Sequence, residues 1–293
     1  MNSSQPGILS GVPRLARYLS FTLKPDAEPD SIRKLVQYKL NHDPAVVGFG
    51  LELLMALGVS LDGMKPFPVH CGPGITVPAT PSALWIWLRG EDRGELLHTS
   101  RAIARGLSDA FILDKVVDAF QFRHSRDLTG YEDGTENPEG QEAVNAGIVQ
   151  GAGQGMDGSS FVAVQQWVHD LDHFQSLDEA ERDNIIGRRI SDNEEIETAP
   201  PSAHVKRTAQ EDFDPEAFIL RRSMPWADEH QSGLVFVAFG HSLDAFEALL
   251  SRMTGKDDGI CDALFRFSRP VSGSYYWCPP VKDGRLDLRL LGL

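Results

Sequence analysis

Three short stretches hold side chains in settings that suit chemistry. The first is Gly130-Tyr131-Glu132-Asp133-Gly134-Thr135-Glu136-Asn137-Pro138. Asp-Gly and Asn-Pro are turn signals, and glycines beside an acid let the backbone come close to whatever that acid faces, so Asp133 can be aimed into a cavity. Read alone, the same stretch is an ordinary surface turn. The second is Pro200-Pro201-Ser202-Ala203-His204-Val205-Lys206-Arg207-Thr208. Two prolines before His204 and two cations after it suit an imidazole facing a metal while the cations neutralise a carboxylate or phosphate; a lone histidine is more often a surface or satisfied one. The third is Phe218-Ile219-Leu220-Arg221-Arg222-Ser223-Met224-Pro225-Trp226. An arginine at a strand end beside a cavity stabilises developing negative charge, and a solvated strand end is the plainer reading.

These residues need a scaffold. Ala16–Leu23 alternates apolar and polar residues as a strand does, and residues 26–40 carry Ile32, Leu35, Val36 and Leu40 at helical spacing. Ser82–Leu88 reads as a strand and Glu91–Leu107 as an amphipathic helix; Val116–Arg123 is a further strand. Asp127–Gly158 holds eight glycines and few large apolar residues, which predicts a long connector. The pattern then returns: a strand at Ser160–His169, a helix over Leu177–Arg188 ending near Gly187, a strand at Gly233–Phe239 and a helix at Ser242–Met253. Ser82–Leu107 and Ser232–Met253 share one plan of strand, glycine, polar turn and amphipathic helix. Two such halves predict a tandem α+β duplication, with a doubly wound sheet as the second choice.

Composition narrows the chemistry. In 293 residues there are 28 Lys and Arg against 42 Asp and Glu, a formal net charge of −14. So acidic a surface repels phosphate backbones and anionic membranes, which disfavours nucleic-acid and membrane partners. No run of about 18 apolar residues is long enough to span a bilayer. Cys71, Cys261 and Cys278 stand far from any C-x-x-C or C-x-x-C-H spacing, against a disulfide scaffold, a zinc site and covalently attached haem. The sparse cysteines, and an N-terminus without the pattern of an export signal, predict a cytoplasmic protein.

Other signals are weaker. Gly151-x-Gly153-x-Gly155 precedes a strand instead of following one and fails the context of a nucleotide loop. His169 and His173 have i,i+4 spacing but no evident third ligand, which predicts a solvated helix turn.

Taken together, the stretches around Asp133, His204 and Arg221, with Leu264-Phe265-Arg266-Phe267-Ser268-Arg269-Pro270-Val271-Ser272-Gly273 after them, resemble the dye-decolorising peroxidase family, in its compact bacterial (B-type-like) branch. The resemblance implies two ferredoxin-like halves, each a four-stranded antiparallel sheet with helices, with boundaries at 1–140 and 141–293 and haem b in the second. It implies a haem b peroxidase that reduces hydrogen peroxide through a ferryl intermediate. Organic donors such as dyes and phenolics, or Mn²⁺, would then be oxidised one electron at a time. A haem-handling protein with incidental peroxidase activity is the alternative. His204 matches the proximal iron ligand, Asp133 the distal acid and Arg221, three residues before Met-Pro, the distal arginine. Lys206 and Arg207 are candidates for the haem propionates, and Asp262 for the hydrogen-bond partner of His204. Ser223 stands in the distal pocket where some relatives carry asparagine. Relatives self-associate, which implies a homo-oligomer. Tyr131, Trp226, Tyr275, Tyr276 and Trp277 are either electron relays or core packing.

Overall fold

The computed structural model describes residues 3–40 and 45–293. Eight strands carry the fold: β1 (Leu15–Leu23), β2 (Ala45–Phe49), β3 (Leu84–Gly90), β4 (Phe111–Phe120), β5 (Ser160–His169), β6 (Met224–Ala227), β7 (Ser232–Gly240) and β8 (Ser274–Cys278). Their pairings are antiparallel, which removes the doubly wound alternative. The order β5-β8-β2-β3-β1-β4-β6-β7 closes when β7 returns to β5, from Gly233 opposite Val168 to Gly240 opposite Phe161. The short strands Leu220–Arg221 and Ser268–Pro270 add to β7 and β5.

The first half supplies β2-β3-β1-β4 and the second β8-β5-β7-β6. The halves meet at two thin seams, each a single residue pair: Phe49 with Trp277, and Ala119 with Trp226.

Alternation along the strands sorts side chains into two cores. Tyr18, Trp85, Trp87, Val162, Phe239 and Tyr276 pack with one another, and Trp85 stacks on Tyr276 with centroids 5.8 Å apart. The opposite faces bury Leu19, Val47, Ile86 and Ala163 beneath helices α1 (Pro29–Lys39), α2 (Arg93–Leu107) and, in the second half, α6 (Asp244–Met253, with α3, α4 and α5 given below). The helices are therefore the outer layer of a barrel filled by its own aromatic side chains.

Two expectations need correcting. The glycine-rich connector is not all loop: Gly140–Gly147 is a helix, α3. Its buried face is built of Ala143 and Ala146, too small to give a clear apolar stripe in the sequence. Strand β4 also begins earlier than expected, at Phe111, because its exposed first half lacks the alternation of a half-buried strand. Helix α4 (Glu179–Ile186) falls within the predicted span; the Asp178 carboxylate caps its start, accepting from Glu181 N at 2.8 Å, and Gly187 ends it in the left-handed region at φ +94°.

Candidate active site

The outer face of β5 and β7 is not fully covered by helix. Between that face, α6, the loop at 127–136 and the short helix α5 (His204–Arg207) lies a cavity of about 470 Å³. Its apolar walls include Ile219, Leu234, Phe236, Leu249, Met253 and Phe267, and Asp133, His204 and Arg221 all line it. Three stretches separated by up to 88 positions in the chain (221 − 133) thus reach one space.

Asp133 sits on a loop shaped by Gly130 and Gly134, at φ +94° and +82°. Arg126 donates from Nη1 to the Gly130 carbonyl at 2.7 Å, and Asp133 N donates to Ser125 O at 3.1 Å, so the loop is tied to its own base. Asp133 Oδ1 lies 3.9 Å from Arg221 Nη1, with both side chains mostly buried. Burial pushes the Asp133 carboxyl above the usual carboxylate range, and the Asp127 carboxylate adds to this; Arg221 acts in the opposite sense but does not cancel it.

Arg221 is the arginine that faces the cavity. Arg222 turns away and donates to the carbonyls of Ile8 and Leu9. Arg221 Nε is buried without a hydrogen-bond partner among the described residues. Its backbone is held from the Asp133 loop: Arg221 N donates to Asn137 Oδ1 at 2.8 Å, and Asn137 Nδ2 donates to Arg221 O at 2.9 Å. In the sequence, Asn137-Pro138 reads only as a turn signal, because the clamp joins segments 84 positions apart.

His204 opens α5. Its Nδ1 lies 2.8 Å from Asp262 Oδ2, and the Asp262 side chain is fully buried, its Oδ1 accepting from Leu264 N at 2.8 Å. The carboxylate holds the imidazole proton on Nδ1 and leaves Nε2 as the lone-pair nitrogen. The turn before the helix is tied down by Ala203 N, which donates to Pro200 O at 2.9 Å. Gly187 packs against the helix, where an added Cβ would come within 2.3 Å of Val205 Cγ2.

The remaining predicted residues divide. Lys206 lines the cavity mouth and pairs with Glu195 at 2.8 Å. Arg207 does not line it. One residue further round the helical turn it points into the protein, where both terminal nitrogens grip Asp258 at 2.8 Å and Nη2 also donates to Arg252 O. The cation brought to the cavity instead is Arg188, which pairs with Glu136 at 2.6 Å. Ser223 is likewise absent from the lining; its hydroxyl accepts from Val237 N at 3.3 Å, using the side chain to mend the ladder beside β7.

His169 is not on a solvated helix turn. It ends β5, is buried and lines the cavity, with Nε2 3.1 Å from Asp127 Oδ2 and Nδ1 2.7 Å from Ser268 Oγ. Burial would raise the Asp127 carboxyl, but His169 and the Thr129 donors outweigh it and hold it below the usual range. No cluster of metal-ligating side chains occurs among the described residues.

Among the aromatic residues, Tyr131 lines the cavity and donates its hydroxyl to Asp183. Trp226 donates to Trp167 O at 2.9 Å within the barrel wall. Tyr275, Tyr276 and Trp277 are buried in β8.

Residues 124–283, which include every cavity-lining residue named above, match the family described as Dyp-type peroxidase, C-terminal. The dye-decolorizing peroxidase of Mycobacterium tuberculosis is 31% identical over 224 residues, covering 74% of this chain and 67% of the relative. That of Rhodococcus erythropolis is 31% identical over 246 residues, covering 80% and 71%. A crystal structure from Shewanella oneidensis described as a dyp-type peroxidase protein superposes with a TM-score of 0.88 at 28% identity, covering 99% of this chain and 98% of that one. A variant of DypB from Rhodococcus jostii RHA1, solved in complex with heme, superposes with a TM-score of 0.85 at 23% identity, covering 93% and 94%. Fold and cavity together place the chain among the α+β barrel peroxidases. The chain belongs to the Dyp-type peroxidase family. It spans about two thirds of the length of its Mycobacterium tuberculosis relative.

Proposed function

We propose that this protein is a haem b peroxidase in which His204 holds the iron and Asp133 and Arg221 act on hydrogen peroxide. One observation carries the reading: the cavity collects a histidine whose Nδ1 is held by a buried carboxylate, and a mostly buried Asp–Arg pair whose Arg221 Nε lacks a partner. The residues fit the group. A macrocycle needs apolar walls, an imidazole nitrogen free to ligate and polar groups kept for the reacting ligand, and these line one space. Bound haem supplies the iron that exchanges electrons with peroxide and then with donors.

The protein's part is positioning and proton transfer. Asp262 holds the proton at His204 Nδ1, orients the ring and raises the basicity of Nε2. With haem bound, the Asp133 carboxylate would take a proton from one oxygen of hydrogen peroxide and deliver it to the other, which would leave as water, the cofactor supplying the two electrons that O–O cleavage consumes. Arg221 stabilises the negative charge that develops as the O–O bond lengthens. Lys206 and Arg188, at the mouth, are suited to carboxylate groups of the cofactor; Arg207 and Ser223 support the fold around the site.

The strand orders β2-β3-β1-β4 and β8-β5-β7-β6 are the same arrangement twice, in support of two ferredoxin-like units over 1–140 and 141–293. The surplus of 14 negative charges favours cationic dyes or Mn²⁺ as donors over anionic ones. Cytoplasmic placement accords with the three free thiols, and no helix among the described residues is long and apolar enough to cross a membrane. Absorption spectroscopy tests the reading: a Soret band that is lost or shifted in His204→Ala supports it, and its absence from haem-supplied protein overturns it.

A further inference from the structure

Strand β4 has an open edge. One side pairs with β1 along its whole length. The other meets β6 only at Ala119 opposite Trp226, because the β6–β7 hairpin turns back after Ala227. From Phe111 to Asp118 that side has no strand partner among the described residues. The uncovered stretch is also apolar where a solvent-facing edge is ordinarily polar: Ile112, Leu113 and Val116 are 46%, 37% and 38% exposed. A long apolar edge invites another strand.

We propose that this edge binds a second copy of this chain, β4 against β4, antiparallel about a twofold axis between Asp114 and Lys115. The sequence Phe111-Ile112-Leu113-Asp114-Lys115-Val116-Val117-Asp118 is complementary to its own reverse in that register. Asp114 falls opposite the partner's Lys115, Lys115 opposite the partner's Asp114, and Leu113 opposite the partner's Val116. A twofold interface requires this kind of self-complementarity, in which one patch serves both sides. Opposite charges and apolar pairs directly across a strand pair each stabilise it, whereas like charges destabilise it.

The bulge in β4 between the residues opposite Ser20 and Phe21 leaves Asp114 as the extra residue. Bulges and lysines guard open edges against indiscriminate pairing. Here Lys115 is next to an aspartate, so the same device rejects registers that set lysine against lysine and accepts the one that sets it against Asp114. A monomer charge of −14 opposes general association, so any contact between copies needs a matched patch. The inference is independent of the haem reading.

Charge exchange tests it, read by sedimentation velocity on the full chain as purified. The wild type should associate at micromolar concentrations. Asp114→Lys and Lys115→Asp, each setting like charges opposite at two symmetric places, should each weaken association by roughly tenfold or more. The double exchange Asp114→Lys with Lys115→Asp should restore it. Leu113→Asp tests the apolar part and should also dissociate the dimer. Far-ultraviolet circular dichroism and thermal melting confirm that each variant is folded. A wild type that stays monomeric, single variants that associate as the wild type does, or a folded double variant that fails to recover overturns the proposal.

Discussion

Asn137 holds Arg221 by both of its backbone groups, accepting from Arg221 N at 2.8 Å and donating to Arg221 O at 2.9 Å. Because Asn137 lies four residues after Asp133, the loop that carries the acid also sets the register of the strand that carries the arginine. The 3.9 Å approach of Asp133 to Arg221 is therefore built by one segment.

Asn137→Ala should leave two part-buried backbone groups without a partner, at a cost of about 1–3 kcal/mol each where water cannot replace it. The expected outcome is a lower melting temperature and a slower reaction with peroxide, with the haem content retained. A misplacement of about 1 Å costs roughly 10²-fold in rate. Stopped-flow mixing with peroxide, beside a haem assay, reads both effects.

The pH dependence of the peroxide reaction should report the coupling of Asp133 to Arg221. Asp133 must be ionised to accept a proton, and its carboxyl is raised by burial. The peroxide rate should therefore fall as pH drops through a value above the ordinary aspartate range. Arg221→Leu removes the cation that favours the ionised form, so its acid limb should move to still higher pH in addition to a rate loss of about 10²–10³-fold. An acid limb that stays put in Arg221→Leu would count against this coupling.

The same shift has a cost in stability. The folded state binds the Asp133 proton more tightly than the unfolded chain does, so stability falls as pH rises through the ordinary aspartate pKa toward the raised one. At neutral pH, Asp133→Asn should raise the melting temperature while slowing the peroxide reaction by about 10²–10⁴-fold. Thermal melts of the two proteins at pH 4 and pH 7 check the sign, with the larger gain at pH 7.

Asp262→Ala should act on cofactor retention. Losing the partner that orients a ligating histidine typically lowers affinity by about 10–100-fold. Transfer of haem to apomyoglobin measures this directly, and Asp262→Asn, which still accepts from Nδ1–H, should fall between the alanine variant and the wild type.

Much of this was legible in the residues. Alternation marks β5 at Ser160–His169, and Gly187 marks the end of α4, because period-two patterns and helix stops are local physics. The family resemblance points to Arg221 over Arg222 by its place three residues before Met224-Pro225, and Arg221, not Arg222, lines the cavity. What escaped depended on contacts between distant segments. Arg207 and Arg188 are both cations near the site, and the pairing of Arg207 with Asp258, 51 positions on, turns it away from the cavity that Arg188 lines. His169 looked like part of an i,i+4 pair on a helix; the chain instead turns from β5 into the helix at Leu171–Ser176, which leaves His169 on the sheet. The Asn137–Arg221 clamp spans 84 positions and has no local signature.

The central claim is that His204 and the Asp133–Arg221 pair serve one haem-centred peroxide reaction. Stopped-flow absorption of the haem-loaded protein mixed with hydrogen peroxide tests it most directly. The account predicts a fast, peroxide-dependent change in the Soret band, slowed by about 10² or more in Asp133→Ala and Arg221→Ala while each retains its haem. Unchanged rates in both variants, with haem bound and the fold intact, would contradict it.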